Sequence, residues 1–276
     1  MTFSWTGSAG VVFANSVLGA MGNMDGIVTN YAVAITGKVP EYGLHLPENR
    51  KGDVIVKLEM DFKKMSDADI GALAYYLGRV LEDRIPVFVN LPEKIELERL
   101  RALASPLHVS GAVPMFHAVG ITPEARSVED ALQGDKAEDK ITVGWDEVRE
   151  VYGEFQYENV DLVAIGCPHC TYNEVKKIAE MVDGKKLKVK LWVNTSPQVK
   201  LVANRAGWTE KIEKAGGLLT SNLCIGPGAP FAACGYGCVL TNSPRCAYYA
   251  PDVKARLASL EDCVKFAVEG NEEVLR

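Results

Sequence analysis

Segments with the pattern of buried strands alternate along this chain with segments that have the pattern of amphipathic helices. Two parallel strands cannot be joined by a tight hairpin, so each connection needs a crossover of a dozen or more residues, usually a helix. The alternation therefore predicts an α/β fold with mostly parallel sheets. Strands are expected at 54–58, 87–91, 113–116, 141–143, 162–165, 189–193 and 238–241, and helices at 67–81, 94–104, 146–151, 173–182, 197–206, 209–215 and 255–268.

The charged stretch 135–140 (DKAEDK) is the best candidate for an internal boundary. It divides the chain into two α/β halves, 1–138 and 139–276. Ligands of parallel sheets collect at the carboxyl ends of the strands, so unusual residues in the following loops are the first candidates for function. Nucleotide binding has no support there, because the Gly/Pro-rich segment 226–230 lacks the residues of a Walker loop and no G-x-G-x-x-G follows a strand.

Composition and charge exclude several classes of partner. The 276 residues carry a formal net charge of −6, and no Lys/Arg cluster is interleaved with aromatic residues, which argues against nucleic acid. No apolar run approaches the ~20 residues that a membrane span needs. The first residues lack the basic stretch and apolar core of an export signal, so we expect a cytoplasmic protein whose seven cysteines are reduced.

The segment 166–170 (GCPHC) lies between a strand pattern and a helix pattern. The apolar run 161–165 precedes it, and the helix that follows has apolar residues at helical spacing, at Val175, Ile178, Ala179 and Val182. Unpaired backbone N–H groups and the macrodipole at a helix N-terminus favour a thiolate over a thiol. A thiolate serves both metal binding and sulfur chemistry, so the motif alone leaves both open.

Two interpretations of these thiols compete at this level. Cys-Pro-His-Cys between a strand and a helix is the dithiol signature of oxidising thioredoxin-like proteins, with Cys167 and Cys170 as the redox pair. Alternatively, these two cysteines and the pair Cys234 and Cys238 supply four thiolates to a structural zinc ion. The first requires Cys170 as the resolving thiol, and the second requires all four sulfurs in one place.

Several motifs together resemble the large, catalytic subunit of the aconitase X family of hydro-lyases. In chain order they are 14–20 (ANSVLGA), 35–37 (ITG), 40–45 (PEYGLH), 48–50 (ENR), 116–125 (FHAVGITPEA), 166–169 (GCPH), 241–243 (TNS) and 248–251 (YYAP). The resemblance spans nearly the whole chain and keeps the family's order. It implies two aconitase-like αβα halves with mostly parallel sheets, the first with substrate-side motifs and the second with cysteine-bearing cluster loops.

The resemblance also implies an activity. Family members use an iron–sulfur cluster to dehydrate a hydroxy acid, so the chain is expected to dehydrate mevalonate 5-phosphate in an alternative mevalonate pathway, with cis-3-hydroxy-L-proline as the alternative substrate. The proton-abstracting serine is expected on a small partner subunit. Thiol–disulfide exchange and a diverged, non-catalytic paralogue remain as further alternatives.

For the cluster, the resemblance assigns Cys167 as one ligand and Cys224 as a second. A 4Fe-4S cluster held by three thiolates leaves one iron open to a hydroxyl group. In the family the third ligand belongs to an N-terminal segment that this chain is expected to lack. The third thiolate is therefore expected from Cys170, Cys234, Cys238 or another polypeptide.

The remaining site residues follow from the same motifs. His169 and His117 are the expected catalytic residues, and His169 could hydrogen-bond a ligand sulfur or the substrate carboxylate. An arginine fork pairs bidentately with carboxylate or phosphate. Four polar residues follow apolar runs at expected strand ends, where helix capping is an alternative role. The expected substrate-binding residues are Asn15, Ser16, His45, Arg50, Asn242 and Ser243.

Overall fold

The structure is a computed structural model that describes residues 1–4, 7–225 and 231–275. The Gly/Pro-rich segment 226–230, where no phosphate loop is expected, lies outside the described residues. Contacts divide the chain into two units, one of Met1–Met65 with Leu73–Arg149 and the other of Ser66–Ala72 with Glu150–Arg276. Within the described residues, no helix is both long and apolar enough to cross a bilayer.

The first unit contains a four-stranded parallel sheet. β1 (Val54–Leu58) pairs with β2 (Pro86–Phe88) on one side and β4 (Asp139–Val143) on the other, and β3 (His117–Ala118) extends the sheet beyond β2. The helices of this part of the chain are α1 (Ser8–Ser16), α2 (Ile27–Thr36), α3 (Asp67–Leu81), α4 (Leu97–Gly111), α5 (Val128–Ala131) and α6 (Trp145–Glu154). Single 3-10 turns lie at Gly43–His45, Pro47–Arg50 and Phe62–Lys64.

The second unit contains a five-stranded parallel sheet in the order β7-β6-β5-β8-β9. Its strands are β5 (Leu162–Cys170), β6 (Lys190–Thr195), β7 (Leu218–Ser221), β8 (Cys238–Thr241) and β9 (Lys254–Leu257). Its helices are α7 (Tyr172–Val182), α8 (Pro197–Arg205), α9 (Trp208–Ala215), α10 (Pro244–Tyr248) and α11 (Leu260–Glu269), with 3-10 turns at Ala232–Cys234 and Glu272–Leu275.

The α/β class with mostly parallel sheets is confirmed, and three local expectations differ from the structure. Segment 113–116 is buried but forms no strand, because pairing with β2 begins only at His117. The expected helix 255–268 opens instead with β9, and α11 begins at Leu260. β4, expected in the C-terminal half 139–276, pairs with β1 of the first unit, so that unit extends beyond the expected boundary at 138/139.

β5 is the strand that organises the second unit, because it contributes side chains to two cores. The side chains alternate between the cores from Leu162 to Ile165, and an irregularity between Ile165 and Cys170 changes that order. Val163, Ile165 and Cys170 pack with the buried faces of α7, α9 and α11. Leu162, Ala164 and Cys167 contribute to a second core with Ile225, Phe231, Cys246 and Ala250. The sheet is therefore covered on both faces, as the nearly continuous apolar sequence of β5 requires.

Helix α7 fixes the end of β5. Thr171 caps the helix by accepting a hydrogen bond from the Glu174 N–H at 3.2 Å, and the Glu174 carboxylate accepts one from the Thr171 N–H at 2.7 Å. This reciprocal pair satisfies two backbone donors that a helix start leaves unpaired. Val175, Ile178, Ala179 and Val182 are all buried, as their helical spacing predicts.

The substitution Ile178→Ala tests this packing. Ile178 lies on the buried face of α7 and is completely buried, so its truncation leaves a cavity, and we expect the free energy of unfolding to fall by about 2–5 kcal/mol. Lys176→Ala, on the exposed face of the same helix, serves as the control and changes the value by about 0.5 kcal/mol at most. Urea titration followed by circular dichroism measures both. Equal losses in the two variants would contradict the burial assigned to this face.

Candidate active site

The carboxyl ends of four strands of the second sheet converge on one cluster of polar and sulfur-bearing groups. Near the end of β5, the Cys167 carbonyl accepts a hydrogen bond from the hydroxyl of Ser243, a residue that follows β8. After β7, the Leu223 carbonyl accepts one from the Asn194 amide of β6 at 2.6 Å. Because all the strands are parallel, residues far apart in the sequence meet at this single edge.

Gly166 permits the close approach of β5 and β6 at this edge. Its φ of +123° is accessible to glycine and disfavoured for other residues. A Cβ atom at this position would lie 2.1 Å from the Asn194 carbonyl oxygen. The glycine before Cys167 is therefore required by the backbone, and it sets the direction in which the chain leaves the strand.

The Cys167 thiol lies in a polarised environment although it is only 5% exposed. A hydrogen bond from the Cys246 thiol, together with the charge and a hydrogen bond of Arg245, lowers the pKa of Cys167 against the opposing effect of burial. The distance from Arg245 Nη1 to Cys167 Sγ is 3.8 Å. The Cys246 pKa moves in the opposite direction, because its hydrogen bond to Cys167 and its burial both favour the neutral thiol. Of the two thiols, Cys167 is thus the one whose thiolate form the surroundings favour.

Cys224 is exposed and lies in the loop that follows β7. Leu223, next to it, is held by Asn194 and by His169, whose Nε2 lies 2.9 Å from the Leu223 carbonyl oxygen. Ile225, on its other side, accepts a weak hydrogen bond from the Cys246 thiol at 3.8 Å. The charge of Cys224 contributes to the raised pKa of Cys246. Cys167 and Cys224 therefore both interact with Cys246, and the fold brings their loops together.

An iron–sulfur cluster fits this donor set in part. Cys167 supplies a sulfur favoured as a thiolate, the form in which cysteine binds iron, and Cys224 lies on a solvent-accessible loop beside the same third thiol. In the part of the chain that the structure describes, however, no three His, Cys, Asp or Glu side chains are arranged to hold one metal ion. A cluster bound by these two cysteines would need its remaining protein ligand from outside that part or through a rearrangement within it.

Cys170 does not share this environment. It packs in the core formed with α7, whereas Cys167 faces the core with Cys246, so the two cysteines lie on opposite faces of the sheet. The Cys170 carbonyl is bound by the Thr195 hydroxyl at 2.6 Å, which fixes the end of the strand. Packing in different cores argues against a Cys167–Cys170 redox pair, which requires the two sulfurs to come into contact. The same separation argues against one zinc ion held by both cysteines, and among residues 1–4, 7–225 and 231–275 no three donors are arranged to hold a metal ion.

Three other predicted site residues lie at this edge and differ in their hydrogen bonds. His169 is exposed and binds the Leu223 carbonyl. Ser243 caps α10, with its hydroxyl bound to the Cys167 carbonyl and to the Cys246 N–H, so both roles of the oxygen are taken by the protein. Asn242 is half-buried immediately after β8, and its amide forms no hydrogen bond within the described residues. Among these three, Asn242 has the side chain with the most hydrogen-bonding capacity left for a ligand.

In the first unit, three expected substrate-binding residues form internal contacts. Asn15 and Ser16 lie in the last turn of α1 and do not follow a strand, because the apolar run before them is helical. The Asn15 amide donates to the Gly22 carbonyl at 2.8 Å, and Ser16 Oγ accepts from the Phe116 N–H at 2.8 Å. Arg50 is 2% exposed and forms a two-bond ion pair with Glu124. It also donates to backbone carbonyls of Leu44, Asn15 and Ala20.

These contacts favour a structural role for Arg50, Asn15 and Ser16, and their binding of substrate stays a prediction. His45 is half-buried, with its two ring nitrogens 2.7 Å from the Pro40 carbonyl oxygen and 3.3 Å from that of Phe3. Its ring is thus also held by backbone groups of its own unit.

His117 combines burial with an unused nitrogen. Its Nε2 lies 2.7 Å from the Arg50 carbonyl oxygen, while its buried Nδ1 has no hydrogen-bond partner within the described residues. Burial lowers its pKa below the ordinary value, against the raising effect of that backbone hydrogen bond. The ring borders a cavity of about 370 Å³ that is also lined by Arg50, Glu124, Arg126 and Asp130. A neutral imidazole that donates through Nε2 leaves Nδ1 as an acceptor.

The sequence patterns do not identify two residues at the carboxyl edge of the second sheet, Arg245 and Cys246. They lie on α10, a helix of five residues, too short to show a periodic pattern. The available signal is Ser243-Pro244 directly after an expected strand, which is the signature of a capped helix start. That signal places the next two side chains at the strand-end edge, although it does not identify their partners.

The pH dependence of stability tests the buried His117. Its pKa is lowered in the folded protein, so the unfolded chain takes up the proton first, and stability is lost as the pH falls below about 6.5. His117→Gln keeps an N–H donor for the Arg50 carbonyl but cannot titrate. Urea unfolding between pH 7.5 and 5 should therefore show a smaller loss of stability in the variant than in the wild type. An equal loss of unfolding free energy in the two proteins as the pH falls would contradict the lowered pKa of His117.

Substitution of Arg50 tests its structural role. Arg50→Met removes five hydrogen bonds and leaves the Glu124 carboxylate and three carbonyls without this donor, so we expect a loss of at least about 2 kcal/mol in unfolding free energy. Arg50→Lys keeps the charge but not the fork, and should recover only part of the loss. Arg126→Met, with a side chain that is 85% exposed, is the matched control. A near-neutral Arg50→Met would show that the guanidinium is free for another function.

Comparisons with known proteins place these features in a family. Models of the first, second and third domains of aconitase X match residues 1–48, 52–153 and 160–269. The chain resembles the crystal structure of aconitase X (holo-form) from Thermococcus kodakaraensis with a TM-score of 0.87 and 36% identity. That match covers 97% of this chain and 68% of the other.

Relatives of known activity carry two names. The phosphomevalonate dehydratase large subunit of Methanocaldococcus jannaschii is 41% identical over 90% of this chain and 62% of the relative. The Thermococcus kodakarensis protein of the same name is 38% identical over 96% of this chain and 67% of the relative. Cis-3-hydroxy-L-proline dehydratase of Pseudomonas aeruginosa is 33% identical over 96% of this chain and 47% of the relative. This chain therefore spans roughly half to two thirds of the length of these relatives, and it belongs to the aconitase X family.

Proposed function

We propose that this chain is the iron–sulfur-binding large component of a hydro-lyase that dehydrates mevalonate 5-phosphate in an alternative mevalonate pathway. The observation that carries the proposal is the Cys167 thiol, in contact with Arg245 and Cys246 beside the Cys224 loop, at the carboxyl edge of a parallel sheet. The names of the relatives support the choice of reaction, because both describe dehydratases.

Cys167 and Cys224 would hold the cluster, and the third thiolate would come from Cys234, Cys238 or a segment outside the described residues. Cys170 is unsuited to this role because it faces the opposite core. When bound, a 4Fe-4S cluster with one open iron supplies a Lewis acid for the departing hydroxyl group. The backbone beside each sulfur is held by hydrogen bonds from Ser243, Asn194 and His169.

The chain's own polar groups would bind and orient the substrate. We assign His169 to the neighbourhood of the cluster because it lies two residues from Cys167 and its ring is held by the Leu223 carbonyl. Asn242 is the best-supported substrate-binding residue, since its amide is uncommitted within the described residues. His117, with its unpartnered Nδ1, is the proposed proton acceptor or hydrogen-bond acceptor of the first unit.

A small subunit that carries the proton-abstracting serine is part of the proposal. The relatives are named as large subunits, which implies that they work with a smaller chain. A heterodimer in the cytoplasm is the arrangement that we infer for this chain. Dehydration of cis-3-hydroxy-L-proline is the second candidate function, because two relatives at 33% and 30% identity bear that name.

Anaerobic co-expression with a candidate small subunit, followed by iron and sulfide analysis, tests the proposal. We expect iron with acid-labile sulfide in the wild type and dehydration of mevalonate 5-phosphate. Cys167→Ala and Cys224→Ala should each lose most of the iron and about 100-fold or more of the activity, because each removes a ligand. Cys170→Ala is the control, since it alters a buried thiol on the other face of the same strand.

The substrate is decided by assaying both hydroxy acids with the same preparation. Turnover of cis-3-hydroxy-L-proline alone would move the assignment to the second candidate. A complex without metal and without turnover of either compound would identify a non-catalytic paralogue. Iron binding that survives Cys167→Ala would show that the cluster lies elsewhere.

A further inference from the structure

Asn194 lies between the two segments that carry the candidate cluster ligands. It is completely buried near the end of β6. Its backbone lies against Gly166, where a Cβ atom would be 2.1 Å from the Asn194 carbonyl oxygen and 3.0 Å from its backbone nitrogen. Its side-chain amide donates to the Leu223 carbonyl at 2.6 Å. Both contacts are with the residue immediately before a candidate ligand, Cys167 in the first case and Cys224 in the second.

A relay of hydrogen bonds from Trp192 through Thr220 fixes the orientation of the Asn194 amide. The indole Nε1 of Trp192 donates to the Thr220 hydroxyl at 2.8 Å. An indole N–H can only donate, so the Thr220 oxygen accepts and keeps its own proton for another acceptor. The Asn194 side-chain oxygen lies 3.0 Å from that hydroxyl, closer than the Val193 carbonyl oxygen at 3.4 Å. The amide nitrogen then faces the Leu223 carbonyl, which can only accept, so both ends of the relay have a determined direction.

The sheet places the three side chains of the relay next to one another. β6 and β7 are neighbours, and their register puts Asn194 directly opposite Thr220. Trp192 is two residues before Asn194, so the two side chains leave the strand on the same face. Trp192 packs against the core that contains Cys167 and Phe231, and its ring meets the Phe231 ring edge-on with the centroids 5.8 Å apart. The relay is therefore anchored in a packed core of the second unit.

We propose that Asn194 is a positioning residue that sets the distance between the segments of Cys167 and Cys224, held in orientation by Trp192 and Thr220. Its backbone determines how closely the end of β5 approaches, and its side chain determines where the loop after β7 lies. Asparagine suits this role because its short side chain carries both an acceptor for the relay and a donor for the loop. The consequence for cluster binding rests on the proposed function, which takes both cysteines as ligands.

The metal-free chain tests the relay and its effect on the loop. Thr220→Val removes the hydroxyl from a side chain of similar shape, so the Trp192 indole N–H signal, one of four in the proton–nitrogen NMR spectrum, should move upfield. A nitroxide attached to the exposed Cys224, in a Cys234→Ser background, should gain a mobile component in its EPR spectrum, because the amide of Asn194 loses the group that orients it. Asn194→Leu removes the hydrogen bond to the loop itself and should give the larger gain.

Two further variants separate positioning from a general loss of stability. Thr220→Ser restores the hydroxyl and should return the indole signal and the nitroxide spectrum to those of the wild type. Thr195→Val removes a different buried hydroxyl of β6, which binds the Cys170 carbonyl, and should leave the nitroxide spectrum unchanged. Urea unfolding identifies any variant that fails to fold, and if Asn194→Leu does, the Thr220 pair decides by the same criterion. An unchanged Cys224 spectrum in the folded variants, or an equal gain in Thr195→Val, would overturn the proposal.

The reconstituted protein tests the consequence for the cluster, by the rate of iron release to a chelator. Release should be about tenfold faster in Asn194→Leu than in the wild type and intermediate in Thr220→Val, because each variant loses the support of a ligand and keeps the ligand itself. Thr220→Ser and Thr195→Val should match the wild type. Equal release rates in all variants would overturn this consequence and leave the positioning of the loop intact. A wild type that takes up no iron would instead refute the proposed function, and the nitroxide spectra would still decide the role of Asn194.

Discussion

Parallel strands run in one direction, and in the second unit this common direction places the candidate active site at the carboxyl edge of the sheet. The strands β5, β6, β7 and β8 all end at the same edge of the sheet. Residues separated by more than 70 positions, such as Cys167 and Ser243, meet there through a direct hydrogen bond. The same polarity places the loop of Cys224 against His169 and Asn194. Reversal of one of these strands would remove its residues from this group of polar and sulfur-bearing side chains.

Arg50 and Arg245 show how similar side chains serve different purposes. Arg50 is enclosed by a carboxylate and backbone carbonyls, so its charge is neutralised and its donors are used within the protein. Arg245 contacts a thiol and an aromatic ring and keeps a buried donor without an acceptor. An arginine of the first kind stabilises a fold. One of the second kind maintains a local positive charge, which favours anionic groups beside it.

The sequence predicts the long amphipathic elements well, because their apolar residues repeat with a period that matches one buried face. α3 begins and ends at the expected residues, and α7 buries the four residues that its spacing indicates. α2 and β9 are absent from the expectation for different reasons. α2 has apolar residues around its circumference and none of them is buried, so no period marks its face, while β9 has only four residues.

The candidate site was predictable only where a motif stands next to a recognisable strand. Cys167 and Ser243 meet that condition, since both follow apolar runs that become β5 and β8. Cys246 and Arg245 do not, because their importance arises from the lateral order of the strands, which no local pattern encodes. Arg50 fails in the opposite sense, since its fork was expected to be available for carboxylate or phosphate and is instead bound by distant segments of the chain. Tertiary partners, more than residue type, decide whether a charged group is available.

The alternation of side chains along β5 has a consequence for how this strand can change over evolutionary time. Cys167 and Cys170 are three residues apart, yet one contacts the polar groups of the edge and the other contacts aliphatic side chains beneath the helices. A substitution of Cys167 therefore changes a reactive group at the sheet edge, whereas a substitution of Cys170 changes the packing of the core. Another small apolar residue can therefore replace Cys170 without a change in the contacts of Cys167, so the two cysteines of the motif are not required to occur together.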